Sequence, residues 1–116
     1  MTTLYGISNC DTVRKVRKWL EQNGVDFHFH DFRKEGLTEP QLLQLEQQLG
    51  WEVLLNKRST SWRKVDKVLQ ENIDKERAIT LMLAQPTLIK RPVLEHEKGA
   101  MVGFKENQYQ AFFNTP

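Results

Sequence analysis

The apolar positions of this chain change period several times, and each change predicts an element. Residues 2–7 (Thr-Thr-Leu-Tyr-Gly-Ile) form a short β-prone run closed by Ser8-Asn9, which reads as a strand. From residue 11 the apolar spacing widens to three and four. Val13, Val16, Trp19 and Leu20 make one stripe of a helix over 11–23. Asn23-Gly24 is its stop, with glycine suited to the left-handed position after a helix. Val25 to Phe32 then alternates strictly, placing Val25, Phe27 and Phe29 on one face of a second strand. Strand, helix and strand in this order make a βαβ unit with parallel strands and a right-handed crossover.

Arg33 to Leu37 reads as a polar turn, and Thr38-Glu39-Pro40-Gln41 as a helix start in which Thr38 and Gln41 fit a capping box. Leu42, Leu43, Leu45 and Leu49 follow, and Gly50 closes the run. Trp51 to Trp62 is less regular. Helical spacing returns over 62–71 and over 74–84, the latter capped by Asp74, and Pro86 ends the block. Leu88-Ile89 and Val93-Leu94 read as a strand interrupted by Lys90-Arg91-Pro92. Met101 to Phe104, after the Lys98-Gly99 turn, is near enough to pair with it as an antiparallel hairpin. Glu106 to Phe113 reads as a last helix with Tyr109, Phe112 and Phe113 on its apolar side. The order predicts an α/β, thioredoxin-like fold: β-α-β, then β-β-α, with a helical insertion at approximately residues 38–86. A chain of 116 residues predicts a single domain over 1–116, large enough to bury a core unaided by disulfides or metal.

Composition narrows the function classes. The net charge of +2 is mild and does not call for a nucleic-acid partner. The cations between Arg14 and Lys18 read as a solvated helix face beside an anion site. No run approaches the ~20 apolar residues of a membrane helix, and no signal-peptide pattern opens the chain. A cytoplasmic protein with neither a membrane nor a nucleic-acid partner is therefore expected. One cysteine excludes an internal disulfide and argues against a structural zinc site. His28 and His30 alternate on a strand and His96 lies far along the chain, so no metal site is expected.

That cysteine carries the chemistry. Cys10 falls between a strand and the start of a helix, where unpaired backbone N–H groups favour an anion. A thiol so placed can ionise well below its usual ~8.5. Arg14, Lys15, Arg17 and Lys18 add positive charge nearby. The plain alternative is a buried, inert cysteine in a non-catalytic domain. Thioredoxin-like oxidoreductases often carry Cys-x-x-Cys at this corner, but here the run is Cys10-Asp11-Thr12-Val13. Val13 cannot resolve a mixed disulfide, so the second thiol must come from outside, from glutathione or a glutaredoxin-like donor. In thioredoxin-like folds a cis-proline precedes the third strand and faces the active cysteine. Pro92 suits that position, and the planar fork of Arg91 before it suits an oxyanion or a carboxylate. In Asn56 to Arg63, one of Ser59, Thr60 and Ser61 is expected to cap the next helix, and Arg58 to contact an anion. Cys10 and Arg91 are thus the expected catalytic residues. Asn9, Asp11, Thr12, Arg58 and Pro92 are the expected substrate-binding ones.

Three spaced motifs agree with this reading: Tyr5-Gly6-Ile7-Ser8-Asn9-Cys10-Asp11-Thr12, Leu54 to Lys64, and Ile89-Lys90-Arg91-Pro92 followed by Val102-Gly103-Phe104. Together they resemble the ArsC/Spx family and, within it, the YffB-like branch of ArsC-family reductases, over essentially the whole chain. The resemblance implies a thioredoxin-like fold with a helical insertion. In the family's arsenate reductases a nucleophilic cysteine attacks arsenate, glutathione attacks the adduct, and glutaredoxin completes the cycle, while three arginines hold the oxyanion. The nucleophile matches Cys10 and the arginine before proline matches Arg91. The insertion arginine falls near Asn56, with Arg58 two residues on, and the third falls at or beside Phe104-Lys105, where no arginine stands. Each missing charge-assisted hydrogen bond would cost about 1.5–3 kcal/mol. The expectation is therefore a glutathione-dependent thiol reductase with no bound cofactor, acting on a mixed disulfide or a small thiol-reactive or oxyanion substrate. The alternatives are an Spx-like regulator that binds the RNA polymerase α subunit and a true glutaredoxin-coupled arsenate reductase.

Overall fold

The computed structural model describes residues 2–114. Strand β1 (Thr2–Gly6) lies inside a four-stranded sheet of order β2-β1-β3-β4. Beside it β2 (Phe27–Asp31) runs parallel, joined through α1 (Asp11–Gln22). On its other side β3 (Val93–His96) runs antiparallel and forms a hairpin with β4 (Gly99–Val102).

The period of two along β1 divides the core. Leu4 joins Val16, Trp19, Leu20, Leu94 and Tyr109 on the face covered by α1 and by α8 (Glu106–Asn114). Tyr5 joins Ile7, Val93 and the insertion's Leu42, Leu45, Leu54 and Met82 on the other. The α1 stripe is buried as its spacing predicts. Val25, Phe27 and Phe29 pack against the α1 face, as strict alternation requires. Gly6 lets α1 lie close: a Cβ there would stand 2.7 Å from Val13 Cγ2.

The insertion departs from its expected boundaries where local hydrogen bonds win. Asp31 accepts from the N–H groups of Arg33 and Lys34, so the expected polar turn begins as a short helix, α2 (Phe32–Glu35). Thr38 and Gln41 form the expected capping box of α3 (Glu39–Leu49), and Gly50 ends it at φ +86°. Next come α4 (Trp51–Leu54) and α5 (Thr60–Arg63), the latter capped by Ser59. The helix expected over 62–71 is split, because Asp66 accepts from Val68 N–H and starts a new helix, α6 (Lys67–Glu71). Asp74 caps α7 (Lys75–Ala84) as expected.

Leu88-Ile89 is not strand. Pro86–Leu88 forms a 3-10 turn and Ile89 makes one isolated bridge to Leu55. The last strand ends at Val102, two residues earlier than its apolar run, because Gly103 turns the chain at φ +76° and donates its N–H to the Pro92 carbonyl. Among the described residues, no helix is long and apolar enough to cross a membrane.

Candidate functional site

Cys10 is the N-cap of α1, with extended backbone (φ −91°, ψ 126°). Its carbonyl accepts from Arg14 N–H at 3.0 Å, and its own N–H donates to Ile7 O at 3.3 Å. Its side chain makes no hydrogen bond to the first turn, so the amide groups there keep their donors for another acceptor. The thiol is free and half-buried against the insertion-side core. Asn9 and Asp11 beside it are exposed, and Thr12 is half-buried. The cations of α1 are divided rather than gathered at the sulfur. Arg14 pairs with Asp11, and the Arg17 guanidinium lies 4.3 Å from the centre of the Phe29 ring.

Beside the loop before Cys10 stands a carboxylate that sequence reasoning missed. The buried Asp31 carboxylate accepts from the N–H groups of Arg33 and Lys34 at the start of α2, and Ser8 lies near enough to act on its charge. Burial pushes its pKa up. The hydrogen bonds from Arg33 and Lys34, together with Ser8, outweigh that and hold it below the ordinary carboxylate range. The signal in the sequence was an aspartate at a strand end, the residue type that caps a following turn.

The Arg91 side is assembled by long-range bonds. Lys90 N–H donates to Leu54 O and Asn56 N–H to Leu88 O, each at 2.8 Å, which clamps residues 88–90 against the insertion. The Arg91–Pro92 peptide bond is cis. Tyr5 faces Val93 across the antiparallel pair. Residues 91–92, which precede Val93, therefore lie at the same sheet edge as Gly6-Ile7, which lead out of β1 towards Cys10. Arg91 Nη1 donates to Thr87 O at 2.9 Å, and the Thr87 hydroxyl is 2.7 Å from that of Ser61. Among the described residues, Arg91 Nε is the buried side-chain nitrogen or oxygen left without a hydrogen-bond partner. A buried donor in that state carries a desolvation cost until an acceptor arrives.

Arg58 stands apart. It is exposed, its N–H donates to Asn56 Oδ1, and it lines a surface depression with Glu52, Asn56, Lys57 and Lys90 to which neither Cys10 nor Arg91 contributes. Lys105 is exposed at the start of α8. The fold thus brings Cys10, Arg91 and Pro92 to one edge, keeps Asn9, Asp11 and Thr12 on the cysteine corner, and leaves Arg58 on a neighbouring surface.

A mixed sheet with a free cysteine at the first strand-to-helix corner, and a cis-proline ahead of an antiparallel third strand, defines a thioredoxin-like domain. The profile of the ArsC family matches residues 5–112, and the chain belongs to that family. It is 47% identical over 113 residues to an uncharacterised protein of Haemophilus influenzae, covering 97% of this chain and 99% of that one. It is 29% identical over 116 residues to a Streptococcus pyogenes protein named global transcriptional regulator Spx, covering 98% and 86% of the two chains. Among solved structures, a YffB protein superposes with TM-score 0.91 at 42% identity, covering 96% of this chain and 97% of that one. An arsenate reductase (ArsC) related protein from Brucella melitensis superposes at 0.77 with 48% identity, covering 98% and 95%.

Proposed function

We propose that this protein is a glutathione-dependent thiol reductase whose single nucleophile is Cys10. The observation that carries the reading is the orphaned Nε of Arg91 at the edge where Cys10 opens α1. One face of a guanidinium is tied to Thr87 and the other is held ready for an acceptor, and a carboxylate or oxyanion of the substrate supplies one.

The Cys10 thiolate attacks the glutathione sulfur of a mixed disulfide. The old S–S bond breaks, its electron pair leaves with the released thiolate, and a Cys10–glutathione disulfide forms. Val13, three residues on, is buried and bears no thiol, so resolution within the chain does not occur. A second glutathione thiolate attacks the bound glutathione sulfur, releases Cys10 and leaves as oxidised glutathione. The net change is one disulfide reduced and one formed. Arg91 binds a glutathione carboxylate, and the N–H groups of the first turn of α1 steady the charge on sulfur. No resident cofactor is needed.

The test incubates the protein with oxidised glutathione and follows intact mass. One glutathione adduct per chain, absent in Cys10→Ser, reversed by reduced glutathione and slowed in Arg91→Ala, is the expected result. No adduct, or an adduct formed equally fast without Arg91, overturns the reading. Arsenate turnover with glutaredoxin but no disulfide reduction replaces it with the arsenate reading. The relatives named Spx supply the other rival, which predicts capture of the RNA polymerase α subunit whatever the state of Cys10.

A further inference from the structure

A second group of polar side chains converges at the β2–α2 corner. His28 and His30 stand two apart on β2, so both leave the same face of the strand. Glu35, the last residue of α2, reaches back to them. Its Oε1 is 3.5 Å from His28 Nε2, and its Oε2 accepts from Asp31 N–H at 3.1 Å. One donor atom from each of His28, His30 and Glu35 lies within 4.8 Å of the others.

The outer contacts of this trio resemble the surroundings of a bound ion. His30 is buried, and its Nε2 is 2.6 Å from the carbonyl oxygen of Gly36. A carbonyl can only accept, so Nε2 carries the hydrogen and the lone pair stays on Nδ1. Metal-bound imidazoles are held in this way, with the second nitrogen donating to a carbonyl and the ligating carboxylate itself hydrogen-bonded. The His28 and Glu35 side chains are 52% and 42% exposed, which leaves an approach open to solvent. Two imidazoles and one carboxylate with open positions suit a borderline ion of the zinc type better than calcium or magnesium, which prefer oxygen.

We propose that His28, His30 and Glu35 form a site for a divalent transition-metal ion, with water completing its shell. The site is distinct from the cysteine corner. It adjoins that corner through Asp31, whose backbone N–H holds Glu35 and whose carboxylate lies beside Ser8. The expectation of no metal site rested on His28 and His30 alternating on a strand and on His96 lying far along the chain. It had no means to supply Glu35, because residues 33–37 read as a turn.

The test titrates reduced, tag-free protein with zinc by calorimetry. The expected result is one ion per chain, weakened tenfold or more by His28→Ala and by Glu35→Gln, as loss of a ligand should do. His28 is the first choice because it is exposed, whereas His30 is buried against the rings of Tyr5 and Phe32. Cys10→Ser should leave the affinity unchanged, which separates this site from the thiol and from the reductase reading. Binding weaker than about 1 mM, binding that survives His28→Ala, or binding lost in Cys10→Ser overturns the proposal.

Discussion

The two sides of the site are built by different means. The cysteine side is local: β1, a short turn and the start of α1 place Cys10 within residues 2–14, and its backbone contacts are to Ile7 and Arg14. The arginine side is assembled from three distant segments: residues 54–61 of the insertion, the 87–92 loop and Gly103 after β4. One side depends on close packing of helix on strand, the other on hydrogen bonds. A cysteine at a β-α corner needs only rules that any such corner obeys, while the arginine proposed to recognise substrate needs the helical insertion.

Removing the proposed recognising group, Arg91, is the sharpest way to break this contrast. Arg91→Ala should lower kcat/KM for a glutathione mixed disulfide about 10- to 100-fold, since charge-assisted hydrogen bonds contribute about 1.5–3 kcal/mol each. Arg91→Lys should recover little of it, because a point charge lacks the two-pronged donor geometry. Thermal unfolding of Arg91→Ala should stay near the parent, since the substitution also removes an unpartnered buried donor. Steady-state kinetics beside a melting curve checks both. A large loss of stability would mean that Arg91 is structural and that the contrast is false.

The cysteine side should break through packing instead. Gly6→Ala puts a Cβ 2.7 Å from Val13 Cγ2, and overpacking of this kind costs about 1–3 kcal/mol. The urea midpoint should fall accordingly. Val13→Ala in the same chain should return part of the loss, giving a coupling between the two positions in a double-mutant cycle. Simple additivity would show that β1 and α1 do not meet there as tightly as the structure shows.

Asp31→Asn tests whether the cysteine side is local throughout, because it removes a charge on β2 that caps α2 and lies beside Ser8. The Asp31 carboxyl lies below its ordinary value. Its ionised form therefore stabilises the fold above the unfolded value of ~3.9, and that contribution is lost as pH falls through the lower folded value. At neutral pH the parent should exceed the variant by about 1–2 kcal/mol, the worth of a capping carboxylate. The gap should close as the pH drops below the carboxylate range. Denaturant titrations at several pH values check this, and a gap that widened in acid would reverse the assignment.

The same division explains how much could be read from the chain. The α1 stripe, the Thr38–Gln41 capping box and the corner cysteine follow from short-range spacing, and the structure has each of them. Leu88-Ile89 looked like strand because both residues are β-prone, but the bonds from Asn56 and Lys90 to the partner segment draw the loop onto the insertion. Arg58 reads as an anion ligand from its basic, hydroxyl-rich surroundings, and the structure places it, exposed, in a depression with Lys57 and Lys90 rather than in contact with Cys10 or Arg91. Thr87 carries no local signal because its partner Ser61 lies 26 residues away in sequence. Contacts of that kind are set by the packed fold and leave no local period.

The smallest predicted effect probes how the arginine side is held. Among the described residues, the Ser61 hydroxyl bonds the Thr87 hydroxyl, and it is the Thr87 carbonyl that receives Arg91. On the proposed reading, Ser61 would act on substrate through Thr87 and Arg91, as a positioning residue. Loss of one neutral hydrogen bond is worth about 0.5–1.5 kcal/mol locally. Only part of that should reach the guanidinium, so Ser61→Ala should raise KM about threefold and leave kcat unchanged. Ser61→Thr should restore the parent value. Thr87→Val deletes the same bond from its other end, so the double variant should be no worse than the poorer single one. Additive losses would mean that the two hydroxyls act separately, and a fall in kcat would place Ser61 nearer the reacting sulfur than this network puts it.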